Sequence, residues 1–203
     1  MLRKSLLLVT GLLVTAGAGS VAAQTTLLPV YYAPYRSFEK YEFGATLSFP
    51  NYDGLGLEGL FGFGYNQFDL EVRGGFVDYG EGVDTRGTLG ATGRYQVVRH
   101  SEKFPMDGAV IAGLGAHLFE GSTLLIPFGL SLGRRLNLED SEISIVPYVQ
   151  PAGVIYTAGP DHFFFGFGIG ADFKLSRYFD ARLSVAFGDD PVDGFAISAV
   201  WVH

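Results

Sequence analysis

Residues 163–175 read FFFGFGIGADFKL, and this stretch decides the fold. From Phe165 to Leu175 an apolar side chain occupies every second position, whereas the positions between them hold three glycines followed by Asp172 and Lys174. Successive side chains of a β-strand point to opposite faces, so a period of two gives one apolar face and one face of small or charged residues. The stretch therefore predicts a β-strand with two unlike faces.

The same alternation recurs on both sides of this stretch, in segments of about ten residues separated by turn residues. We predict ten strands, over residues 39–49, 55–65, 68–78, 85–98, 108–119, 122–136, 142–157, 162–175, 178–188 and 193–203. Such a series is typical of an all-β, antiparallel, up-and-down transmembrane β-barrel. Eight strands is the alternative, because Pro127, Pro147 and Pro151 each lack a ladder donor.

The N-terminal residues carry an export pattern. Arg3 and Lys4 precede an apolar core over residues 6–16, and Ser20-Val21-Ala22-Ala23 supplies small residues before Gln24. This order is typical of a secretory signal peptide, so we predict cleavage after Ala23. Residues 24–38 are then expected to form a periplasmic lead-in, with tyrosines at the membrane interface, and residues 39–203 the barrel.

Composition excludes several classes of protein. The net charge of −7 becomes −9 without Arg3 and Lys4, and an acidic chain of this kind argues against a nucleic-acid partner. The absence of cysteine rules out disulfides and a lipoprotein anchor. No phosphate-binding loop and no set of His or Cys with metal-ligand spacing is present, so we expect no cofactor and no metal.

The distribution of bulky residues favours a membrane over water. Phenylalanine, leucine and tyrosine share one face of each strand, and glycine shares the other face with the charges. An inward apolar face would crowd ten rows of bulky side chains into one barrel. An outward apolar face would be taken up by lipid, so we expect a monomer among outer-membrane lipids and lipopolysaccharide. A secreted soluble β-domain remains the alternative.

The opposite face then predicts a charged lumen. Charges enclosed together are expected to pair, because an unpaired charge in a confined interior is unfavourable. We therefore predict an ion-pair network in a mostly filled lumen, with a structural or interaction role; a narrow passive pore for small solutes or ions is the alternative. The predicted network comprises Glu58, Asp69, Glu71, Arg73, Arg86, Arg94, Arg135, Asp172, Lys174, Asp180 and Arg182.

Residues 39–203 resemble the small bacterial outer-membrane β-barrel superfamily, which includes the barrel of outer-membrane protein A and the opacity-type proteins of Gram-negative bacteria. The resemblance rests on the signal, the alternation and the last strand, FAISAVWVH over residues 195–203. It implies an outer-membrane location and a C-terminal strand that the barrel-assembly machinery reads. The side chains expected to carry that signal are Phe195, Ile197 and Trp201, although His203 rather than an aromatic residue ends the chain.

Some members of this superfamily are enzymes, so lipid A modification on a barrel scaffold is a further alternative. His100-Ser101-Glu102 holds the residue types of a catalytic triad, but adjacent residues of one segment cannot converge as a triad does. Asp161-His162 is expected to be a solvated turn pair. Asp189, Asp190 and Asp193 carry oxygen ligands without the spacing of a calcium loop. We therefore predict that the protein is not an enzyme.

Overall fold

The computed structural model describes residues 26–35, 38–50, 53–80, 84–118, 123–139, 141–157, 163–187 and 193–203. Within these ranges all helices and strands that the structure contains are strands; no helix is present there, as the alternating sequence predicts. The strands are β1 (Tyr41–Pro50), β2 (Leu55–Tyr65), β3 (Phe68–Asp78), β4 (Arg86–Val98), β5 (Asp107–Leu118), β6 (Thr123–Gly133), β7 (Leu136–Asn137), β8 (Ser144–Tyr156), β9 (Phe163–Lys174), β10 (Phe179–Phe187) and β11 (Gly194–Val202).

These strands form one antiparallel sheet that closes on itself. Neighbouring long strands pair in sequence order, and β1 pairs with β11 from Glu42 opposite Val202 to Pro50 opposite Gly194. Because β6 pairs directly with β8, the ring contains ten strands, and the two-residue β7 pairs with β8 alone. The predicted ten-stranded antiparallel barrel is confirmed, and the alternative of eight strands is wrong.

The predicted strand 122–136 is interrupted near its end, and a proline explains the interruption. β6 ends at Gly133 and β7 begins at Leu136, yet both keep the same register against β8. In that register Arg134 lies opposite Pro147, which has no N–H to give to the ladder. The Arg134 N–H still donates to the Pro147 carbonyl oxygen at 3.3 Å, so the strands remain together.

The barrel has two ends. At the terminal end, β1 begins and β11 ends, and the backbone N–H groups of Glu39 and Lys40 both donate to the His203 carbonyl oxygen. At the distal end, β1, β3, β5, β8 and β10 finish and the strand following each of them begins. All ten long strands run the full distance between these ends, so each strand contributes one row of side chains to the outside and one to the lumen.

The two faces of the barrel differ as the alternation predicts. Large apolar side chains are exposed on the outside of every long strand, whereas carboxylates, guanidiniums and hydroxyls are buried in the lumen. Soluble proteins usually show the reverse arrangement, since charged residues are seldom fully buried unless they are paired.

A segment without regular structure also lies in the lumen. The described residues of the range 26–38 are mostly buried, and Leu28 is fully inaccessible to solvent. We predicted that residues 24–38 would precede the barrel as a lead-in, and the structure corrects this: the described part, residues 26–35 and 38, lies inside the ring. We call it the lumenal segment.

The lumenal segment runs along the bore. The Thr26 carbonyl oxygen contacts His117, the penultimate residue of β5 at the distal end. Phe38 packs with Val200 and Val202 near the terminal end. The described part of the segment therefore extends from the distal end, at Thr26, to the terminal end, where β1 begins.

Candidate functional site: the barrel lumen

Arg73 is the centre of the first group of lumenal charges. Asp69, Glu71 and Arg73 alternate along β3 and so share its inner face. The Arg73 guanidinium lies 3.1 Å from Glu58 Oε2 on β2 and 2.6 Å from Glu71 Oε1, and all three side chains are buried. Thr88 on β4 donates its hydroxyl to the other oxygen of Glu58 at 2.8 Å. Both glutamates are thereby held by charge-assisted hydrogen bonds.

Arg182 on β10, across the β1–β11 seam from Arg73, joins two further carboxylates to Glu71. Its guanidinium forms a bidentate pair with Glu42 on β1. Its Nη1 lies 3.7 Å from Glu71 Oε2, and its Nε lies 3.7 Å from Asp172 Oδ2 on β9. Glu71 therefore connects Arg73 and Arg182 into one network that crosses β1, β2, β3, β9 and β10.

A separate pair lies nearer the terminal end. Arg94 Nε donates to Asp69 Oδ2 at 2.9 Å, and Arg94 Nη1 donates to the carbonyl oxygen of Ala33 at 2.6 Å. Asp69 and Arg94 are opposite one another in the β3–β4 register, so the pairing of the two strands fixes the ion pair. One guanidinium thus holds both the wall and the lumenal segment.

Four predicted network residues lie apart from these groups. Arg86 and Lys174 are half-buried at opposite ends of the barrel, and no ion pair to either is found in the part of the chain that the structure describes. Asp180 is 1% exposed, and neither carboxylate oxygen has a hydrogen-bond partner among the described residues. Arg135 lies outside the strands, where its guanidinium stacks 4.6 Å from the Tyr35 ring centroid.

Sequence reasoning left Glu42 out of the predicted network. It lies on the inner face of β1 with Gly44, Thr46 and Ser48, so the alternation that located the other charges also locates this one. The neutral partners Thr88 and Tyr32 were missed as well. No periodicity marks Tyr32, because the lumenal segment is not a strand.

The lumenal segment is bound to the wall by side chains that reach its backbone. The Tyr32 N–H donates to Gln150 Oε1 at 2.8 Å, and the Tyr32 carbonyl oxygen accepts from the Ser131 hydroxyl at 2.6 Å. The Tyr148 hydroxyl donates to the Tyr31 carbonyl oxygen at 2.9 Å. Further contacts to carbonyl oxygens are made by His117 to Thr26 at 2.9 Å, by Ser184 to Pro29 at 2.5 Å and by Arg94 to Ala33.

The Tyr32 side chain reaches into the ion-pair network. Its hydroxyl lies 3.1 Å from Glu71 Oε1 and 3.3 Å from Thr92 Oγ1. The Arg73 guanidinium carbon lies 5.7 Å from the centroid of its ring, within the range of a cation–π contact. A single residue therefore couples the lumenal segment to the charges of β3.

Every buried apolar cluster in the described part of the chain contains a residue of the lumenal segment. Leu27 packs with Leu125 and Val154, and Leu28 packs with Val77 and Ala196. Tyr31 and Ala33 pack with Val146, Tyr148 and Ala186, and Phe38 packs with Leu60, Val200 and Val202. The apolar interior of this barrel is thus shared between the wall and the segment.

Two positions of the wall are shaped to fit the segment. A Cβ at Gly168 would overlap the Tyr31 ring, and a Cβ at Gly56 would overlap the Ser48 hydroxyl of the wall and come within 3.1 Å of Leu28. Tyr79, in the connection after β3, packs against the Leu28 cluster, where burial raises the pKa of its phenol and keeps it neutral. These contacts fill part of the lumen with the segment.

A small polar cavity remains at the terminal end. Its volume is about 200 Å³, and its lining includes Tyr35, Asn66, Asp69 and Gln96. Among the described residues no group of three His, Asp or Glu side chains is arranged to hold a metal ion. The cavity is therefore a polar recess at the mouth of the barrel.

The other sequence candidates do not come together. His100 and Ser101 are exposed beyond β4, where Ser101 Oγ accepts from the Phe104 N–H at 3.3 Å. His117 is buried against Thr26, far along the barrel from them. Asp161, His162, Asp189 and Asp190 lie outside the described residues.

Comparison with known proteins gives no relative of this chain. No protein-family model, no curated protein and no solved structure matches it. Among the described residues no helix is long and apolar enough to cross a membrane.

Proposed function

We propose that this chain is an integral protein of a bacterial outer membrane, in which a closed barrel with a charged and filled lumen has a structural or interaction role. The apolar outer surface carries this proposal. Large apolar side chains are exposed on all ten long strands, and many are about half exposed, such as Leu57, Phe61 and Leu114. Soluble monomers rarely expose a continuous apolar surface beyond a few hundred Å².

Aromatic side chains at both ends support a membrane setting. Exposed Tyr41, Tyr65, Tyr178 and Trp201 lie near the terminal end, where Tyr178 and Trp201 stack at 5.6 Å. The distal end carries phenylalanines such as Phe76, Phe163 and Phe187. Two aromatic girdles around an apolar band are typical of transmembrane barrels, and tyrosine and tryptophan favour the membrane–water interface.

The filled lumen supports a structural or interaction role over an open pore. The ion-pair network and the lumenal segment occupy the middle of the bore, and Leu27 and Leu28 pack against the wall in its distal part. The proposal includes no catalytic activity and no cofactor. The surrounding lipids and lipopolysaccharide would be the main partners of a monomer.

The proposal takes its account of export and assembly from the sequence. The N-terminal residues 1–23 would direct export, and β11 would present Phe195, Ile197 and Trp201 to the barrel-assembly machinery. All three side chains are exposed on the outside of the barrel, which is compatible with their recognition before insertion.

Heat modifiability after extraction of an outer-membrane fraction in mild detergent tests the proposal. A closed barrel in that fraction migrates differently on a gel before and after boiling. A protein that is found soluble without detergent contradicts the membrane assignment and favours a secreted β-domain.

A pair of substitutions makes this test specific to the outer surface. Leu114→Arg places a charge on the outside of β5, which in a bilayer is unfavourable by about 2–4 kcal/mol near the midplane. Leu138→Arg places the same charge on an exposed residue beyond the strands. We expect the first variant to lose the heat-modifiable band and the second to keep it. Equal tolerance of both changes contradicts a lipid-facing β5.

A further inference from the structure

The lumenal segment is built into the barrel differently from every strand of the wall. None of its described residues belongs to a β-strand, and its named bonds to the wall come from single side chains such as Ser131, Gln150 and Tyr148. The ring itself closes through β1 and β11 without it. The segment can therefore leave while every ladder of the barrel stays intact.

If the segment left the lumen, the space it occupied would be a passage wide enough for a small ion. An extended chain occupies about 5 Å by 10 Å in cross-section, as the spacings between strands and between sheets indicate. Because the segment runs from Thr26 at the distal end to Phe38 near the terminal end, the space it vacates spans the bore. That space is wide enough for a small hydrated ion.

The wall of that passage carries more negative than positive charge. The buried guanidiniums of Arg73 and Arg94 and the half-buried one of Arg182 face six buried carboxylates. The carboxylates are Glu42, Glu58, Asp69, Glu71, Asp172 and Asp180. Arg86 and Lys174, half-buried at the two ends, offset two of these three excess charges, so one negative charge remains in excess. When the segment leaves, Glu71 also loses its hydrogen bond from the Tyr32 hydroxyl. Asp180 has no hydrogen-bond partner among the described residues even with the segment in place.

We propose that the lumenal segment is a displaceable plug and that the barrel without it conducts small cations in preference to anions. Carboxylates lining a narrow path select cations, because they replace part of the hydration shell and repel anions. This inference rests on the proposed membrane location for its physiological setting. It adds to the proposed function that the barrel is closed while the segment is in place and becomes a pore when the segment leaves.

Conductance in planar bilayers tests the proposal, with potassium chloride as the probe. The full chain should show no steady conductance. A chain lacking residues 26–35 should conduct, and its reversal potential in a salt gradient should show preference for potassium over chloride. A deleted barrel that shifts on boiling and inserts but conducts nothing, or that prefers chloride, overturns the inference.

Two matched substitutions in the deleted chain test the origin of the selectivity. Asp180→Asn removes a lumenal charge without leaving a paired arginine behind, and it should move the reversal potential toward zero. Asp53→Asn removes the same charge from an exposed residue outside the strands, and it should have the smaller effect. Equal effects of the two changes contradict selection within the lumen.

A thiol probe tests displacement in the full chain and remains decisive if the deleted chain does not fold. The protein has no cysteine, so Ser131→Cys introduces a single thiol beneath the Tyr32 carbonyl. In rising urea that thiol should react with a water-soluble reagent while the band still shifts on boiling. Thr46→Cys, at a buried position bonded to Ser198 of the wall, should stay protected until the shift is lost.

The same probe separates this inference from the proposed function. If the Ser131→Cys thiol reacts only after the barrel unfolds, the segment is not a displaceable plug. That result overturns this inference even where the membrane fraction and the heat shift support an outer-membrane barrel. A chain recovered without detergent contradicts the membrane location but leaves displacement measurable in solution.

Discussion

The lumen wall has two unlike halves. The inner faces of β1–β4, β9 and β10 hold the ion-pair network, which satisfies most of its charges with one another. The inner faces of β5, β6 and β8 hold no charged residue between Ala109 and Val154 in the described part, and they offer His117, Ser131, Tyr148 and Gln150 to the lumenal segment. The charged half-wall is joined mainly by its own ion pairs and bonds the segment at a few points such as Arg94. The neutral half-wall has no ion pair among the described residues and bonds the segment through uncharged side chains.

This difference separates two sources of stability in one barrel. Buried charges stabilise little beyond the cost of desolvating them, but removing one partner is strongly destabilising. Neutral side chains that bond a backbone contribute about 1 kcal/mol each. The charged half-wall should therefore be the more sensitive to single substitutions, and the neutral half-wall should determine whether the segment stays in place.

The largest effect is expected at Arg73. Arg73→Met leaves Glu58 and Glu71 buried without their shared counter-charge, which should lower the free energy of unfolding by about 3–5 kcal/mol. Urea unfolding in micelles measures the change. Combining Arg73→Met with Glu58→Gln and Glu71→Gln should recover part of the loss. If the triple variant is no more stable than the single one, unpaired charge is not the cause.

An intermediate effect is expected where the wall accommodates the segment. Gly168→Ala places a methyl group against the Tyr31 ring, and overpacking of this kind costs about 1–3 kcal/mol. The strain should fall on the segment, so the Ser131→Cys probe should become more reactive while the heat shift persists. Gly59→Ala is the control, since the nearest atom to its Cβ is 4.0 Å away. Equal reactivity in both variants would show that Tyr31 does not press on β9.

The smallest effect is expected from one hydrogen bond of the neutral half-wall. Tyr148→Phe leaves the Tyr31 carbonyl oxygen without that donor, which should lower the free energy of unfolding by about 1 kcal/mol. Urea unfolding in micelles checks this value. A loss as large as that of Arg73→Met would contradict the division of the wall into a sensitive charged half and a tolerant neutral half.

The sequence was sufficient for the wall because a period of two is a local property. The ten strands, the outward apolar rows and the inward position of residues such as Glu58 and Arg182 all follow from alternation. The break before β7 required the register of Arg134 against Pro147, which pairing across strands determines. The position of Arg135 on Tyr35 depends on the same break.

The lumenal segment could not be predicted in the same way. Pro29, Pro34 and three tyrosines without periodicity are typical of a loop, and only tertiary contacts place them inside the ring. One signal was present in the wall itself. The inner faces of β5, β6 and β8 carry small residues such as Ala109, Gly129 and Ala152, which by themselves would leave unfilled volume in a ten-stranded barrel.

The path of the lumenal segment constrains the order in which the molecule assembles. The chain passes through a ring whose last contact to form, between β1 and β11, joins the two ends of the barrel sequence. Once the hydrogen bonds between β1 and β11 have formed, the segment can enter only by being threaded lengthwise through the bore. Closure around a segment already lying across the open sheet avoids threading, so we expect the segment to be in place before the β1–β11 seam forms.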